Sequence, residues 1–476
     1  MATRGLAMSL IGLCLLSGLG SSPVHADFVF GTPENLGPTI NTSFHEASAC
    51  TSADSLSLAF WRGATWNDIG GYCVTIRETK ESPWDNPVDF GPYAESYLNI
   101  IPMNNVLSFM TADGLEFYLT NVDVIQPSEY GGTDLCIYKR ETTDDDWDQP
   151  MNLGPIVNSA YNERWPSISR DGLELYFCSN RLGGEGERDI WVTKRATRDS
   201  DWTDPVNLGQ QVNSVASDDG TCLSSDGLVL FFDSRRPGGY GSWDLYMSKR
   251  ASRSDPWEVA INLGPVVNTP GLEEVAHISA DGSTLYFDSD RPGGYGGHDI
   301  WQVPITPIVD LNGDGIVDAA DMCIIVDNWG TDNKLCDIGP TPLGDGIVDV
   351  QDLIVLAEHL FEEYPPAESV EVNEDNNGGQ FELERGQILV VTLESNPSTG
   401  YKWELAEQSM SILLQLAEVE FKSSDTGNPP TVGAGGWEIF RFRAVSAGQM
   451  PLLLFYHRSS EDAEPLNTFI IQVTVN

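Results

Sequence analysis

Short alternating apolar runs, each launched by an Asp-Gly turn, recur along the first 306 residues. Asp171-Gly172 leads into Leu173-Glu174-Leu175-Tyr176-Phe177, Asp226-Gly227 into Leu228-Val229-Leu230-Phe231-Phe232, and Asp281-Gly282 into Ser283-Thr284-Leu285-Tyr286-Phe287, a constant step of 55 residues. A short apolar run bounded by Gly and Asp is the pattern of a β-strand leaving a turn. Earlier copies begin at Asp113 and, more weakly, at Asp54. Two further blocks keep the same step: Asp189-Ile190-Trp191 returns at Asp244 and Asp299, and Asn152-Leu153-Gly154-Pro155 returns at Asn207 and Asn262. The last repeat lacks the Asn block after Trp301, but Asn35-Leu36-Gly37-Pro38 carries it ahead of the first copy. Short β units at a fixed period stack radially. Five copies predict a five-bladed β-propeller over 27–306, with the N-terminal strand completing the final blade. Arg181 with Asp189, Arg236 with Asp244 and Arg291 with Asp299 recur at one spacing around Gly-Gly turns. They read as structural hairpin ion pairs. Trp191, Tyr246 and Trp301 read as packing between blades.

The pattern then changes twice. Over 307–364, two acidic glycine loops each precede a helical run, Met322-Cys323-Ile324-Ile325-Val326 and Leu353-Ile354-Val355-Leu356. The first loop, Asp310 to Asp321, places oxygens at positions one, three, five, nine and twelve (Asp310, Asn312, Asp314, Asp318, Asp321). Gly315 stands at the sharp turn and the Ile316 carbonyl at position seven, which is the arrangement a hard cation such as Ca2+ requires. Val317 is the apolar residue that pins the loop. The second copy supplies Asp345, Ile347, Asp349 and Asp352, but Thr341 and Leu343 stand where positions one and three should carry oxygens. Two readings follow: the loop binds calcium poorly, or Asp337 enters through a longer excursion. A short Pro-rich stretch, 365–370, reads as a linker. Over 371–476 strand-like runs return, Gln387 to Leu393, Trp437 to Ala444 and Leu452 to His457. Asn396-Pro397-Ser398-Thr399-Gly400 falls between two of these runs, just before Tyr401. Pro397 fixes one φ and Gly400 permits a tight reversal, so the segment predicts a stiff, exposed loop.

Charge narrows the partners. With 71 Asp and Glu against 26 Lys and Arg, the net charge is −45. A chain this acidic repels phosphate backbones and is not expected to bind nucleic acid. The start, Met1-Ala2-Thr3-Arg4 followed by an apolar run from Leu6 to Leu19 and by Val24-His25-Ala26, has the layout of a secretory signal peptide over 1–26. It predicts export to a secreted, periplasmic or cell-surface location without a membrane span. Seven of the eight cysteines lie beyond Ala26; Cys323 and Cys336 are the local disulfide candidates. No HExxH, GxSxG or assembled triad occurs, so no catalytic residues and no enzymatic activity are expected.

Three resemblances attach to these residues. The 55-residue blocks resemble TolB-type, PD40 (WD40-like) propellers. The duplicated loop-helix unit resembles a type I dockerin, an EF-hand-like α-helical module. The resemblance implies Ca2+ as cofactor and a cohesin-type module on a scaffold or surface protein as partner. The C-terminal segment resembles the chagasin family of cysteine-peptidase inhibitors, immunoglobulin-like sandwiches bearing three loops. Asn396, Pro397, Thr399 and Gly400 match the first loop, with Ser398 a conservative change. Gly433, Gly435 and Gly436 match the second, and Arg458 and Glu461 the third, where Ser459 and Ser460 replace a proline and an aromatic. The resemblance implies a papain-like cysteine peptidase as partner, with Thr399 and Gly400 nearest its catalytic cysteine. The chain is thus expected to be mainly β and multidomain: a secreted inhibitor tethered through a dockerin and carrying a propeller platform. The alternative is a non-catalytic dockerin-bearing adaptor of an extracellular polysaccharide-degrading or cell-surface assembly.

Overall fold

The computed structural model describes residues 28–64, 70–89, 110–121, 130–331, 333, 336–363, 369–383, 387–406, 413–415, 419–424, 435–444, 448–458 and 465–475. They divide into two compact units, one ending at Glu368 and one beginning at Ser369. The expected signal peptide, most of the linker, Gly433, Glu461 and Ser459-Ser460 lie outside the described residues. The protein is mainly β.

The first unit opens with β1 (Phe28–Phe30) and β2 (Glu34–Asn35). Five sheets follow in chain order. The first holds β3 (His45–Thr51), β4 (Ser57–Gly63), β5 (Gly71–Ile76) and β6 (Val88–Asp89). The second holds β7 (Glu116–Asn121), β8 (Asp134–Lys139) and β9 (Met151–Asn152), with Met110 bridged to Phe117. The third holds β10 (Glu163–Ile168), β11 (Glu174–Ser179), β12 (Asp189–Lys194) and β13 (Val206–Asn207). The fourth holds β14 (Asp218–Leu223), β15 (Val229–Ser234), β16 (Asp244–Lys249) and β17 (Ile261–Asn262). The fifth holds β18 (Glu273–Ile278), β19 (Thr284–Ser289) and β20 (Asp299–Pro307). Its outermost strand is β2, which pairs Asn35 with Trp301 just as Asn207 pairs with Trp191 and Asn262 with Tyr246. The N-terminal segment therefore completes the last sheet, as the displaced Asn block predicts.

Successive sheets are joined by one recurring hydrogen bond. The amides of Glu163, Asp218 and Glu273 donate to the carbonyls of Thr133, Arg188 and Trp243, at 2.8–2.9 Å. Glu46 donates in the same way to His298, at 2.8 Å, which joins the fifth sheet to the first. Cys50, Ala59, Val74, Met110, Phe117 and Tyr138 cluster between the first sheet and the second. Apolar clusters fill the spaces between sheets. Tyr118, Ile137, Phe177 and Trp191 lie between the second and third, and Tyr176, Val192, Phe232 and Tyr246 between the third and fourth. Each such aromatic, fully buried, contributes roughly 1.5–3 kcal/mol over its exposed state. Trp191, Tyr246 and Trp301 are buried packing residues.

The recurrent arginines do not pair as their spacing suggests. Arg181, Arg236 and Arg291 bind the acid at the start of the inner strand, Glu163, Asp218 and Glu273, at 3.0, 2.6 and 3.1 Å. Asp189, Asp244 and Asp299 instead accept the amides of the Gly-Gly turns, as when Asp189 takes Glu185 N at 2.7 Å and Gly186 N at 3.1 Å. A turn with several inward N–H groups needs an acceptor, and that need uses up the aspartate.

Two helices close the first unit, α1 (Ala319–Asp327) and α2 (Val350–Glu358). Asp318 and Asp349 cap them, each in a reciprocal box with Asp321 or Asp352. Cys323 and Cys336 are not joined: Cys323 is exposed, while Cys336 is buried with its Sγ 3.9 Å from the Ile324 carbonyl.

The second unit is a two-sheet sandwich of β21 (Ser369–Asn373), β22 (Gln380–Leu383), β23 (Ile388–Ser395), β24 (Lys402–Leu405), β25 (Leu413–Gln415), β26 (Glu420–Ser423), β27 (Gly436–Ala444), β28 (Gly448–His457) and β29 (Asn467–Val475). One sheet runs β21-β23-β27-β25 with β26 also on β27, the other β22-β29-β28-β24. Strand β21 starts at Ser369, inside the stretch read as linker. Leu389, Val391, Leu393, Phe440, Phe442, Leu452, Leu454 and Ile471 alternate inward and fill the core.

Candidate functional site

Asn396 to Tyr401 after β23, Gly435 and Gly436 at the start of β27 and Arg458 after β28 lie together at one end of the sandwich. Residues Pro397–Thr399 form a single 3-10 turn. Thr399 donates its amide to the Asn396 carbonyl at 3.0 Å and its Oγ1 to the same oxygen at 2.6 Å. Ser398 Oγ donates to Asn396 Oδ1 at 2.6 Å. Asn396 thus holds the turn from its base, and Ser398, Thr399 and Gly400 are exposed at its tip. Gly400 sits at φ +82°, a left-handed conformation that a side chain strains.

The third loop braces the first. Arg458 donates from Nη2 to the Thr399 carbonyl at 3.0 Å and lays its guanidinium over Tyr401, 4.7 Å from the ring centre. Tyr401 also packs on Tyr456, whose hydroxyl accepts the Asn396 amide at 3.1 Å. Beneath them Trp403 donates its indole N–H to the Glu394 carbonyl at 2.9 Å and its amide to Glu438 at 2.7 Å. Burial pushes the Glu438 carboxyl above its ordinary range. The second loop enters through Gly435 and Gly436. A β-carbon on Gly436 would collide with the Lys422 carbonyl, so only glycine lets β26 approach β27 there. A cavity of about 430 Å³ opens between the first and second loops, lined by Glu394, Ser395, Asn396, Ser424, Gly435, Gly436, Trp437 and Tyr456. Of the residues read as the inhibitory surface, the structure brings together Asn396 to Tyr401, Gly435, Gly436 and Arg458. Sequence reasoning missed Tyr456 and Trp437, which only strand pairing carries to this end.

Residues 382–475 match the model of the Chagasin family peptidase inhibitor I42. No curated protein matches the chain. Among solved structures, the cysteine protease inhibitor EhICP2 from Entamoeba histolytica is 19% identical, with 24% of this chain and 99% of that one covered at a TM-score of 0.21. TolB from Acinetobacter baumannii is 13% identical, with 54% of each chain covered at a TM-score of 0.31. The α-L-arabinofuranosidase PaAbf62A from Podospora anserina is 10% identical, with 59% and 99% covered at a TM-score of 0.37. At these TM-scores the three structures assign nothing to this chain.

In the helical module the two loops are organised alike. Asp310 accepts Gly313 N at 2.8 Å and Gly315 N at 3.0 Å; Asp337 accepts Asp345 N and Gly346 N, both at 2.8 Å. Asp337 thus holds turn amides of the second loop as Asp310 holds those of the first. Asp321 and Asp352 match as well, the first accepting Leu311, Asn312 and Asp318 amides, the second Ile338, Gly339 and Asp349 amides. Asn312 and Asp314 are tied to each other and to the next amides. The Ile316 and Ile347 side chains are exposed. The donors are all oxygens of the hard type that calcium takes. Among the described residues, no group of three or more His, Cys, Asp or Glu is arranged to hold a metal.

A second set of acids lies deep in the repeats and was not singled out by sequence. Asp233 and Asp288 accept the amides of Val275 and Ser48 at 3.1 and 2.9 Å. Both amides sit at inner-strand bulges with positive φ. Thr120 does the same for Trp165 at 3.1 Å. These side chains brace one sheet against the bulge of the next. Burial pushes Asp233 and Asp288 well up, and Glu274 beside them to about 7. Among the described residues, no helix is long and apolar enough to cross a membrane.

Proposed function

We propose that the chain inhibits papain-like cysteine peptidases through the loop end of its C-terminal sandwich. The match of residues 382–475 to the chagasin family carries this reading. The loop geometry supports it. A turn held by Asn396 and clamped by Arg458 loses little ordering entropy on docking. Thr399 and Gly400 present backbone without bulk at its tip. The peptidase groove would close over this turn, with the Gly435-Gly436 and Arg458 loops on its flanks, and no bond of the inhibitor would be cut. The mechanism is occlusion, so the chain itself performs no catalysis.

The first unit then serves location. Its five sheets form a five-bladed propeller acting as a binding platform. The duplicated loops make a calcium-dependent dockerin that captures a cohesin-type module on an exported assembly. Asp310, Asn312, Asp314, Asp318 and the Ile316 carbonyl would hold one Ca2+, and Asp337, Asp345, Asp349 and the Ile347 carbonyl a second. Asp321 and Asp352 would complete the two sets at position twelve.

Occlusion predicts active-site protection. Papain preincubated with the full chain should resist alkylation of its catalytic thiol, and the chain should be recovered uncut. Alkylation at the rate of free papain contradicts the proposal. For the metal, calorimetric titration of the full chain with calcium should find two sites, with one lost in Asp310→Ala and the other in Asp337→Ala; no heat of binding contradicts the calcium reading.

A further inference from the structure

In the third and fourth sheets an arginine just past the third strand reaches toward the preceding sheet. In the third sheet, Arg195 donates Nε to the Gly172 carbonyl at 2.7 Å and pairs with Glu116 of the second sheet. In the fourth, Arg250 donates Nε to the Gly227 carbonyl at 2.8 Å and pairs with Glu174 of the third at 2.7 Å. Both bridges are buried. One step of 55 residues further on, the arginine position is Ile305 and the acid position is Val229. The backbone there is unchanged: Ile305 N binds the Ser283 carbonyl at 2.8 Å, as Arg250 N binds that of Leu228 at 3.0 Å. An ionic bridge has thus become an apolar notch on both of its sides, at this one boundary.

The notch is filled from the helical module. Leu343 is buried in one cluster with Val229 and Ile305. A β-carbon on Gly282 would meet Leu343 Cγ and Thr341 Cβ, each at 3.3 Å. The equivalent positions, Gly172 and Gly227, face the arginine side chains instead. Gly346 lies against the Ala251 carbonyl and Leu228 of the fourth sheet. The outer ion pair is lost in parallel. Arg198 pairs with Asp113 and Arg253 with Asp171, whereas Ile308 stands at the corresponding position and Asp226 has Asp345 of the second loop nearby. Thr341 and Leu343 belong to the stretch by which the second loop exceeds the first: Asp337 to Gly346 replaces the shorter Asp310 to Gly315.

We infer that this insertion is an intramolecular lock, in which Leu343 seats in the Val229–Ile305 notch and fixes the helical module to the fourth and fifth sheets. At the two preceding boundaries charge complementarity joins neighbouring sheets. Here the chain leaves the repeats, so its own next segment supplies the missing contact as a hydrophobic plug. The module and repeats then behave as one body. The second loop is occupied internally, and a partner of the module must bind elsewhere, on the face of the first loop and α1.

Hydrogen exchange read by mass spectrometry on the full chain tests the lock. In Leu343→Asp, a charge enters the notch, and exchange over 281–285 and 337–346 should rise about tenfold or more while β11 and β12 keep their protection. The double variant Val229→Glu/Ile305→Arg rebuilds the ionic bridge and should fold with the same release of 337–346. Parent-like protection of both segments in Leu343→Asp overturns the inference. If that variant unfolds the repeats as a whole, Leu343→Ala decides: a rise confined to the two segments supports the lock, and unchanged exchange overturns it.

Discussion

Arg458 shows how a residue can matter without touching the expected target. Its guanidinium bridges the Thr399 carbonyl, 59 residues away in sequence, and the Tyr401 ring. Arg458→Ala should leave the sandwich folded and weaken papain inhibition about tenfold, the scale of one charge-assisted hydrogen bond with its stacking contact. Arg458→Lys should recover only part of that loss, since an ammonium keeps the charge but not the planar fork. Inhibition constants of the two variants check this. The turn itself was legible in sequence because Asn396, Pro397 and Gly400 act within five residues. Its brace was not, because Arg458, Tyr401 and Tyr456 meet only after β24 pairs with β28.

At the scale of elements, the repeat spacing disclosed strands, turns and the swapped β2, all of them local or periodic. It misassigned the arginine partners, because Asp189 and its copies serve turn amides that spacing does not display. It also left open how the second loop begins; there the Asp337 carboxylate accepts the amides of Asp345 and Gly346. The buried acids between sheets carry a pH signature. Burial is the main cause that raises Glu274, from 4.5 to about 7, with Asp219 and Asp290 adding repulsion against the attraction of Arg235 and Arg188. A carboxyl that is harder to ionise in the fold contributes its full stability below about pH 4.5 and loses it as pH rises through about 7. Glu274→Gln cannot ionise. It should therefore gain thermal stability relative to the parent at pH 8, on the order of 1 kcal/mol, and gain little at pH 4.5. Calorimetric midpoints of both proteins at the two pH values check the sign. Comparing the variant with its parent cancels the opposing protonation of buried His277 and His298, whose burial pulls them down to about 3 and about 4.

At the scale of the molecule there are two units, the repeats with the helical module in one and the sandwich in the other. The sequence marks three segments by its changes of pattern, from 55-residue blocks to acidic loops to strand-like runs. The contact of Leu343 with the repeats stayed hidden because its partners, Ile305, Gly282 and Val229, lie well back along the chain and meet it only in the fold. The central claim rests on the exposed turn at the sandwich end, and one titration tests it most directly. Papain activity should fall stoichiometrically as the full parent chain is added. Thr399→Arg and Gly400→Glu, which place bulk and charge at the tip, should each weaken inhibition by about thirtyfold or more. A parent chain without effect at micromolar concentration, or variants that inhibit as well as the parent, would contradict the account.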